Sequence, residues 1–244
     1  MERLIYTAVS GAELNQTALR VSANNLANVN TPGFKADIEQ AQAMMIAGDG
    51  FRTRYQAQLL PVFTDLANGP VQQTGRDLDI VLSDGGFLAI ADANGNEAYT
   101  RAGNLQIDAD GRLMLNGYAV QGEQGDIVLP EFGDIDISAD GTINLLPVGG
   151  GLIAEEGRLK MVSAGDDTLV KGLDGLLRPQ QQEQLPADLA ITLRTGVLEG
   201  ANVNAVEEMV NTMNISRQFE MNIRMMKTAD ELAVAGNKLV SGNS

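Results

Sequence analysis

Ala23-Asn24-Asn25-Leu26-Ala27-Asn28-Val29-Asn30-Thr31-Pro32-Gly33-Phe34-Lys35 is the stretch on which the fold turns. It closes an apolar-periodic run that starts close to the N-terminus. Ile5, Ala8, Ala12, Asn15, Leu19, Ser22, Leu26 and Val29 recur at alternating spacings of three and four, a heptad-like seam that predicts a helix over 3–29. Such a helix is roughly 40 Å long at 1.5 Å per residue. Pro32 disfavours helical geometry at Thr31 and Gly33 supplies a turn, so the helix is expected to stop at 28–30. Small residues in the seam allow close approach of a second helix, and a buried Asn penalises wrong registers at a cost in stability. The same pattern also fits an ordinary amphipathic helix packed on its own domain.

A matching feature stands near the other end. Asn202-Val203-Asn204-Ala205-Val206-Glu207-Glu208-Met209 opens a second helix expected from about 203 to 240, with Asn202 or Asn204 as its N-cap. Ile215, Phe219, Met226, Ala229, Ala233 and Val240 form one stripe along it. Met209, Met213, Met221, Met225 and Met226 make up half of the ten methionines. A methionine stripe at helical spacing usually reads as core, but its adaptability also suits a helix that packs against several non-identical neighbours.

Between the helices the period changes. From 78 to about 177 short alternating segments read as strands: 78–82, 87–90, 104–107, 112–115, 127–129, 135–137, 142–145 and 158–162. Ser83-Asp84-Gly85-Gly86, Asp108-Ala109-Asp110-Gly111 and Ser138-Ala139-Asp140-Gly141 supply the turns. The fold class expected is α+β: paired long N- and C-terminal helices plus an all-β middle domain, sandwich- or barrel-like. The expected divisions are 1–35, N-terminal helix; 36–76, a connector with extended segments, in which 38–46 could extend a helix and 51–63 looks extended; 77–178, the β domain; 179–200, a polar linker and return strand; and 201–244, C-terminal helix.

Composition excludes several function classes. The 244 residues carry a formal charge of −15, which opposes contact with nucleic acid phosphate. The charge is uneven: residues 1–40 hold 3 basic and 4 acidic groups and residues 200–244 hold 4 and 5, leaving 10 basic against 23 acidic in 41–199. The ends are nearly neutral and fit to be buried; the middle is built to face water. Cysteine and histidine are absent, which removes disulfides, the usual His/Cys zinc sites and histidine acid–base catalysis. No basic segment followed by an apolar one marks a Sec-type signal, and no apolar run approaches the length of a membrane span.

The acidic turns invite a calcium reading, but Pro147 and Gly117 stand where an EF-hand loop needs its bidentate Glu. Gly149-Gly150-Gly151 lacks the Lys-Ser/Thr of a phosphate loop. Nothing in the spacing supports a Ser–Lys or paired-carboxylate active site. No cofactor or metal is expected, and no enzyme.

The two terminal stretches, read together, resemble the bacterial flagellar basal-body rod and hook protein family. The run at 23–35 is similar to its N-terminal signature and Gly200-Ala201-Asn202-Val203-Asn204-Ala205-Val206-Glu207-Glu208-Met209-Val210 to its C-terminal one, continuing through Arg217-Gln218-Phe219-Glu220-Met221-Asn222 and Lys227-Thr228-Ala229-Asp230. Thr74-Gly75-Arg76-Asp77-Leu78-Asp79-Ile80, Gly85-Gly86-Phe87-Leu88-Ala89-Ile90, Tyr99-Thr100-Arg101-Ala102-Gly103-Asn104-Leu105 and Asp110-Gly111-Arg112-Leu113 carry it through the middle. Ala201 departs from the Ser that often precedes the Asn-Val pair. Within the family the opening at 1–12, the absence of Trp and the modest length resemble the proximal-rod branch, with the distal-rod sibling as the alternative. An acidic secreted β module that holds calcium or another ligand is the alternative of a different class.

The resemblance implies a structural subunit that polymerises through its terminal helices into a torque-transmitting tube. It also implies a periplasmic rod location, export by the flagellar type III apparatus without a cleavable signal, and no membrane insertion. The implied partners are itself, other proximal and distal rod subunits and the surrounding ring proteins. The implied subunit-packing residues are Ile5, Ala8, Ala12, Asn15, Leu19, Asn24, Asn25, Leu26, Asn28, Pro32, Gly33 and Phe34 at one end. At the other they are Asn202, Val203, Met209, Met213, Phe219, Glu220, Asn222, Met226 and Asp230. The asparagines at 23–35 then read as register-setting contacts between helices.

Overall fold

The computed structural model describes residues 2–45, 55–165, 169–181 and 184–242. The chain divides into two units. The first comprises Met1–Ala27, Asp37–Phe63 and Asn204–Ser244 and holds both long helices. Helix α1 spans Glu2–Ala27 and α2 spans Ala205–Ser241. After Ala27 the chain turns, with the Thr31 amide donating to the Asn28 carbonyl at 2.9 Å. Helix α2 is about 55 Å long at 1.5 Å per residue. Asn204 caps it from an extended backbone, its side chain accepting from the amides of Val206 and Glu207. Glu207 and Glu208 in the first turn and Lys238 in the last suit the helix dipole. Ser22 meets Glu208 and Thr212, while a side chain at Gly11 would meet Asn222. Those pairings run in opposite directions along the two helices, so α1 and α2 are antiparallel.

The same unit contains a hairpin of Ala41–Met45 and Tyr55–Leu59, in register from Ala41↔Leu59 to Met45↔Tyr55. Residues 38–45 are therefore extended where the sequence allows a helix. Ala, Gln and Met favour helix in isolation, but the ladder to the second strand overrides that preference. Ile46 and the beginning of the 51–63 segment lie outside the described residues.

The second unit, Asn28–Ala36 and Thr64–Val203, is built on antiparallel sheet. Its main sheet runs in the order Leu169–Lys171, Leu177–Pro179, Glu97–Thr100, Gly86–Ala91, Tyr118–Gly122, Leu113–Leu115 and Gln106–Ile107. Strand Gly86–Ala91 is its spine and is buried on both faces, which explains a continuous apolar run in place of alternation. Leu88 and Ile90 join the larger core with Leu105, Leu113, Leu115, Val120, Ile143 and Leu159. Phe87 and Ala89 point the other way, into a smaller cluster with Tyr99, Val162, Leu177 and Leu185. A separate sheet of Phe132–Ile137, Thr142–Pro147 and Ala154–Arg158 lays Ile137, Ile143 and Leu145 on the larger core.

The Asp-Gly turns form as tight turns. Asp108 Oδ1 accepts from the amides of Asp110 and Arg112, and Gly141 donates to the Ser138 carbonyl. Residues 127–129 do not form a regular strand; a single bridge joins Val128 to Arg112. The expected strand 158–162 is two pieces, Arg158 ending one and Met161 starting the next. In 179–188 Leu185 is buried, with its amide donating to the Tyr99 hydroxyl at 2.6 Å. Gln182 and Glu183 lie outside the described residues.

Candidate functional site

The helix pair buries an unusual face. Among the described side chains of α1 the buried ones are Ala8, Ser10, Ala12, Asn15, Ser22 and Asn25, all small or polar. The larger Ile5, Leu19 and Leu26 are only half-buried and Asn24 is exposed. Polar groups tie the seam. The Ser22 hydroxyl donates to Glu208 Oε2 and lies 2.9 Å from the Thr212 hydroxyl. Asn25 Nδ2 donates to the Asp37 carbonyl at 2.9 Å and to Glu208 Oε1 at 3.0 Å, while its Oδ1 accepts the Asp37 amide at 3.0 Å. Asn25 thus holds α1 to α2 and to the strand that follows. In the near-isosteric Asn25→Leu variant the Asp37 amide and carbonyl lose their bonds to Asn25, at a cost of about 1–3 kcal/mol. The check is amide hydrogen exchange at Asp37, which should accelerate while exchange in the β-rich unit stays unchanged.

On α2 the expected packing residues fall on two faces. Phe219, Asn222 and Met226 are half-buried on the same side as the fully buried Ala229, and Asn222 fills the notch left by Gly11. Val206, Met209, Val210 and Met213 point outward at 70%, 51%, 47% and 53% exposure, and Glu220 and Asp230 are exposed as well. Val240 of the expected stripe lies outside the residues whose side chains are described.

The remaining expected residues lie in the β-rich unit, around a buried charge cluster. Glu199, at the end of the strand Val197–Glu199, is 2% exposed. Its Oε1 accepts from Lys35 Nζ at 2.7 Å and the Gly69 amide at 3.0 Å; its Oε2 accepts from Arg101 Nε at 3.0 Å and Nη2 at 2.6 Å. Lys35 also donates to the Ala67 carbonyl at 2.7 Å. Arg101 spends its other protons on the carbonyls of Leu82, Ser83 and Gly86 and on Asn68 Oδ1.

The backbone closes the same clasp. The Gly33 amide donates to the Glu199 carbonyl at 2.8 Å and the Asn202 amide to the Phe34 carbonyl at 3.3 Å. The Asn202 side chain accepts the Ala36 amide at 2.7 Å and donates to the carbonyls of Asp65 and Ala67. Lys171 sits over the Phe34 ring, 4.1 Å from its centroid, and donates to the Lys35 carbonyl. Gly33 is buried, and Pro32 and Val203 are half-buried. Asn28 accepts the Thr31 hydroxyl at 3.2 Å, holding the turn after α1.

Two cations face one anion in this cluster, and the carboxylate governs its electrostatics. Burial pushes the Glu199 carboxyl up, but the hydrogen bonds from Lys35 and Gly69 and the charge of Arg101 outweigh it and hold the group below the usual glutamate range. Burial lowers the Lys35 ammonium, and Glu199 only partly restores it. Each carboxylate oxygen already accepts two bonds, so the arrangement is suited to holding segments together and has no free acceptor for a reacting proton. A cavity of about 180 Å³ beside it is lined in part by Asn68, Ser83, Arg101, Arg194 and Glu199. Among the described residues no group of three or more acidic side chains is placed to hold a metal ion.

The three segments of the clasp coincide with the regions that known proteins share. Residues 5–35 match the flagella basal body rod protein family, 82–145 the flagellar hook protein FlgE/F/G D1 domain, and 194–239 the flagellar basal body rod FlgEFG protein C-terminal family. The chain is 39% identical over 251 residues to the flagellar basal-body rod protein FlgF of Escherichia coli K12, covering 99% of both chains. The chain belongs to the flagellar basal-body rod protein family. The Salmonella typhimurium FlgF is likewise 39% identical over 99% of each chain. A FlgG of Buchnera aphidicola is 27% identical over 93% of this chain and 96% of its own. This rod-family chain is a structural subunit of the flagellar basal body that assembles with other rod subunits, and not an enzyme. Among its described residues no helix is long and apolar enough to cross a membrane.

Lys35, Arg101 and Glu199 are absent from the residues expected to matter. Lys35 and Arg101 stand inside quoted motifs, Arg101 between Thr100 and Ala102, but a lone charge in either place reads as exposed. Glu199 lies one residue before the C-terminal motif and carries no local signal.

Proposed function

We propose that this rod subunit polymerises through its terminal helices into the helical tube of the proximal rod and transmits torque along it. The observation that carries the reading is the outward row of α2. Val206, Met209, Val210 and Met213 follow helical spacing on the face turned from α1, and Met221, Ile223 and Met225 extend the apolar surface. Helix α1 adds Tyr6, 74% exposed. A heterologous contact through such a face builds an open helical filament when its rotation does not close a ring. Methionine there accommodates neighbours that differ in sequence, as adjoining rod subunits do.

The acidic β-rich unit faces the periplasm and the ring proteins around the rod, and the chain leaves the cytoplasm through the flagellar type III apparatus. The 39% identity to the FlgF of Escherichia coli and of Salmonella typhimurium, against 27% to the Buchnera FlgG, supports the proximal position.

Replacing Met209, Val210 and Met213 together by Ser removes an apolar contact worth about 1.5–3 kcal/mol per side chain. The subunit should vanish from purified basal bodies and swimming should stop, with the thermal midpoint of the β-rich unit unchanged. Normal incorporation of the triple variant would contradict polymerisation through this face.

A further inference from the structure

The three-stranded sheet of the β-rich unit ends in a hairpin tip, 147–153, that the rod reading does not use. Leu146, Val148, Leu152 and Ile153 are 37%, 68%, 91% and 69% exposed. They surround Gly149-Gly150-Gly151, which turns the chain with the Gly150 amide donating to the Pro147 carbonyl at 3.1 Å. Three large apolar side chains on one turn, with Leu146 on the strand leading into it, cost solubility unless something covers them. The strands leading to the tip are acidic on their outer face. Asp136 pairs across to Asn144 and Asn144 to Glu155, while Asp134 opposite Leu146 lies one step nearer the tip. The reverse face is the buried one, with Ile137, Ile143 and Leu145. Among the described residues no ion pair engages Asp134, Asp136, Glu155 or Glu156.

We propose that this hairpin is a docking site for a different protein, one presenting an apolar depression bordered by Lys and Arg. Charge decides the occupant. With 10 basic against 23 acidic groups in 41–199, a second copy would bring like charge against the acidic strands. A cation-rimmed apolar surface instead matches both the tip and its flanks, as the core and rim of an interface do. The inference rests on the rod reading, since it names the chemistry of a neighbour outside the subunit's own helical contacts.

The test places a photo-crosslinking benzoylphenylalanine at Val148 and illuminates purified basal bodies. The expected result is an adduct to another polypeptide whose mapped contact peptide is apolar and carries Lys or Arg. Its yield should fall several-fold in Asp134→Asn/Asp136→Asn/Glu155→Gln and in Leu152→Ser/Ile153→Ser backgrounds, with equal amounts of subunit incorporated. An adduct to a second copy, a contact peptide without cations, yields unmoved by both backgrounds, or no adduct from an incorporated subunit overturns the proposal. Absence of the unsubstituted chain from basal bodies would overturn the rod reading itself.

Discussion

Glu199→Gln is expected to destabilise the β-rich unit by about 3–5 kcal/mol, the cost of removing the carboxylate that binds both buried cations. Lys35 and Arg101, each with a side chain about 2% exposed, would then face one another without an anion. The reciprocal variant Lys35→Met is milder. It leaves Arg101 and Glu199 as a neutral pair and removes one bond each from Oε1 and the Ala67 carbonyl, which keeps the Asn202 side chain as a donor, at about 1–3 kcal/mol. Urea denaturation of the two variants checks the order, and equal losses would show that the cluster is not governed by its carboxylate. The pH dependence has a fixed sign. The folded Glu199 carboxyl lies below its unfolded value, so its contribution is present above the ordinary glutamate range and is lost as pH falls through the depressed value. Glu199→Gln should remove that part of the acid-side slope.

Gly33→Ala is the second large effect. Gly33 has φ +67°, and a Cβ there would lie 2.2 Å from the Ala102 amide nitrogen and 2.3 Å from the Arg101 carbonyl carbon. The obstruction is backbone, so no rotamer relieves it. Left-handed geometry costs an alanine about 1–2 kcal/mol, and overpacking typically adds about 1–3 kcal/mol. Relaxation would have to push the Gly33 segment from Arg101 and break the Gly33 amide bond to Glu199, so the clasp opens with it. Thermal melting should show a drop comparable to Glu199→Gln, and the double variant should lose less than the sum, since both act on one set of contacts. A near-native midpoint for Gly33→Ala would mean that the two segments separate at little cost.

The helices were legible because their signals are local: spacing of three and four, Pro32 beyond one end, an Asn cap before the other. The cap is Asn204, since only its side chain reaches the amides of Val206 and Glu207. Asp-Gly turns were legible for the same reason. So was one hairpin that the strand reading passes over. Asn116-Gly117, at φ 50° and 89°, joins Leu113–Leu115 to Tyr118–Gly122 in the two-residue loop such a pair favours. Residues 38–45 read ambiguously because helix-favouring Ala, Gln and Met become strand only when Tyr55–Leu59 lies alongside. The clasp is least legible of all. A Lys, an Arg and a Glu far apart in the chain each read as surface charge, and only tertiary structure buries them together. The expected packing residues, meanwhile, include several that serve the subunit itself: Asn25 and Asn202 are spent on internal hydrogen bonds, whereas Met209 and Met213 remain available.

Lys35 and Glu199 are 164 residues apart, and Arg101 and Glu199 are 98 apart. Contacts of such span form late, after the entropy of closing a long loop has been met, and they slow folding. The clasp cannot close until the segments around Lys35, Arg101 and Glu199 are all free to meet. Until then Lys35 lacks its anion, and Arg101 keeps only the carbonyls of Leu82, Ser83 and Gly86 and Asn68 Oδ1. The buried cluster therefore makes closure here all-or-none: a fragment that stops short of Glu199 cannot complete it.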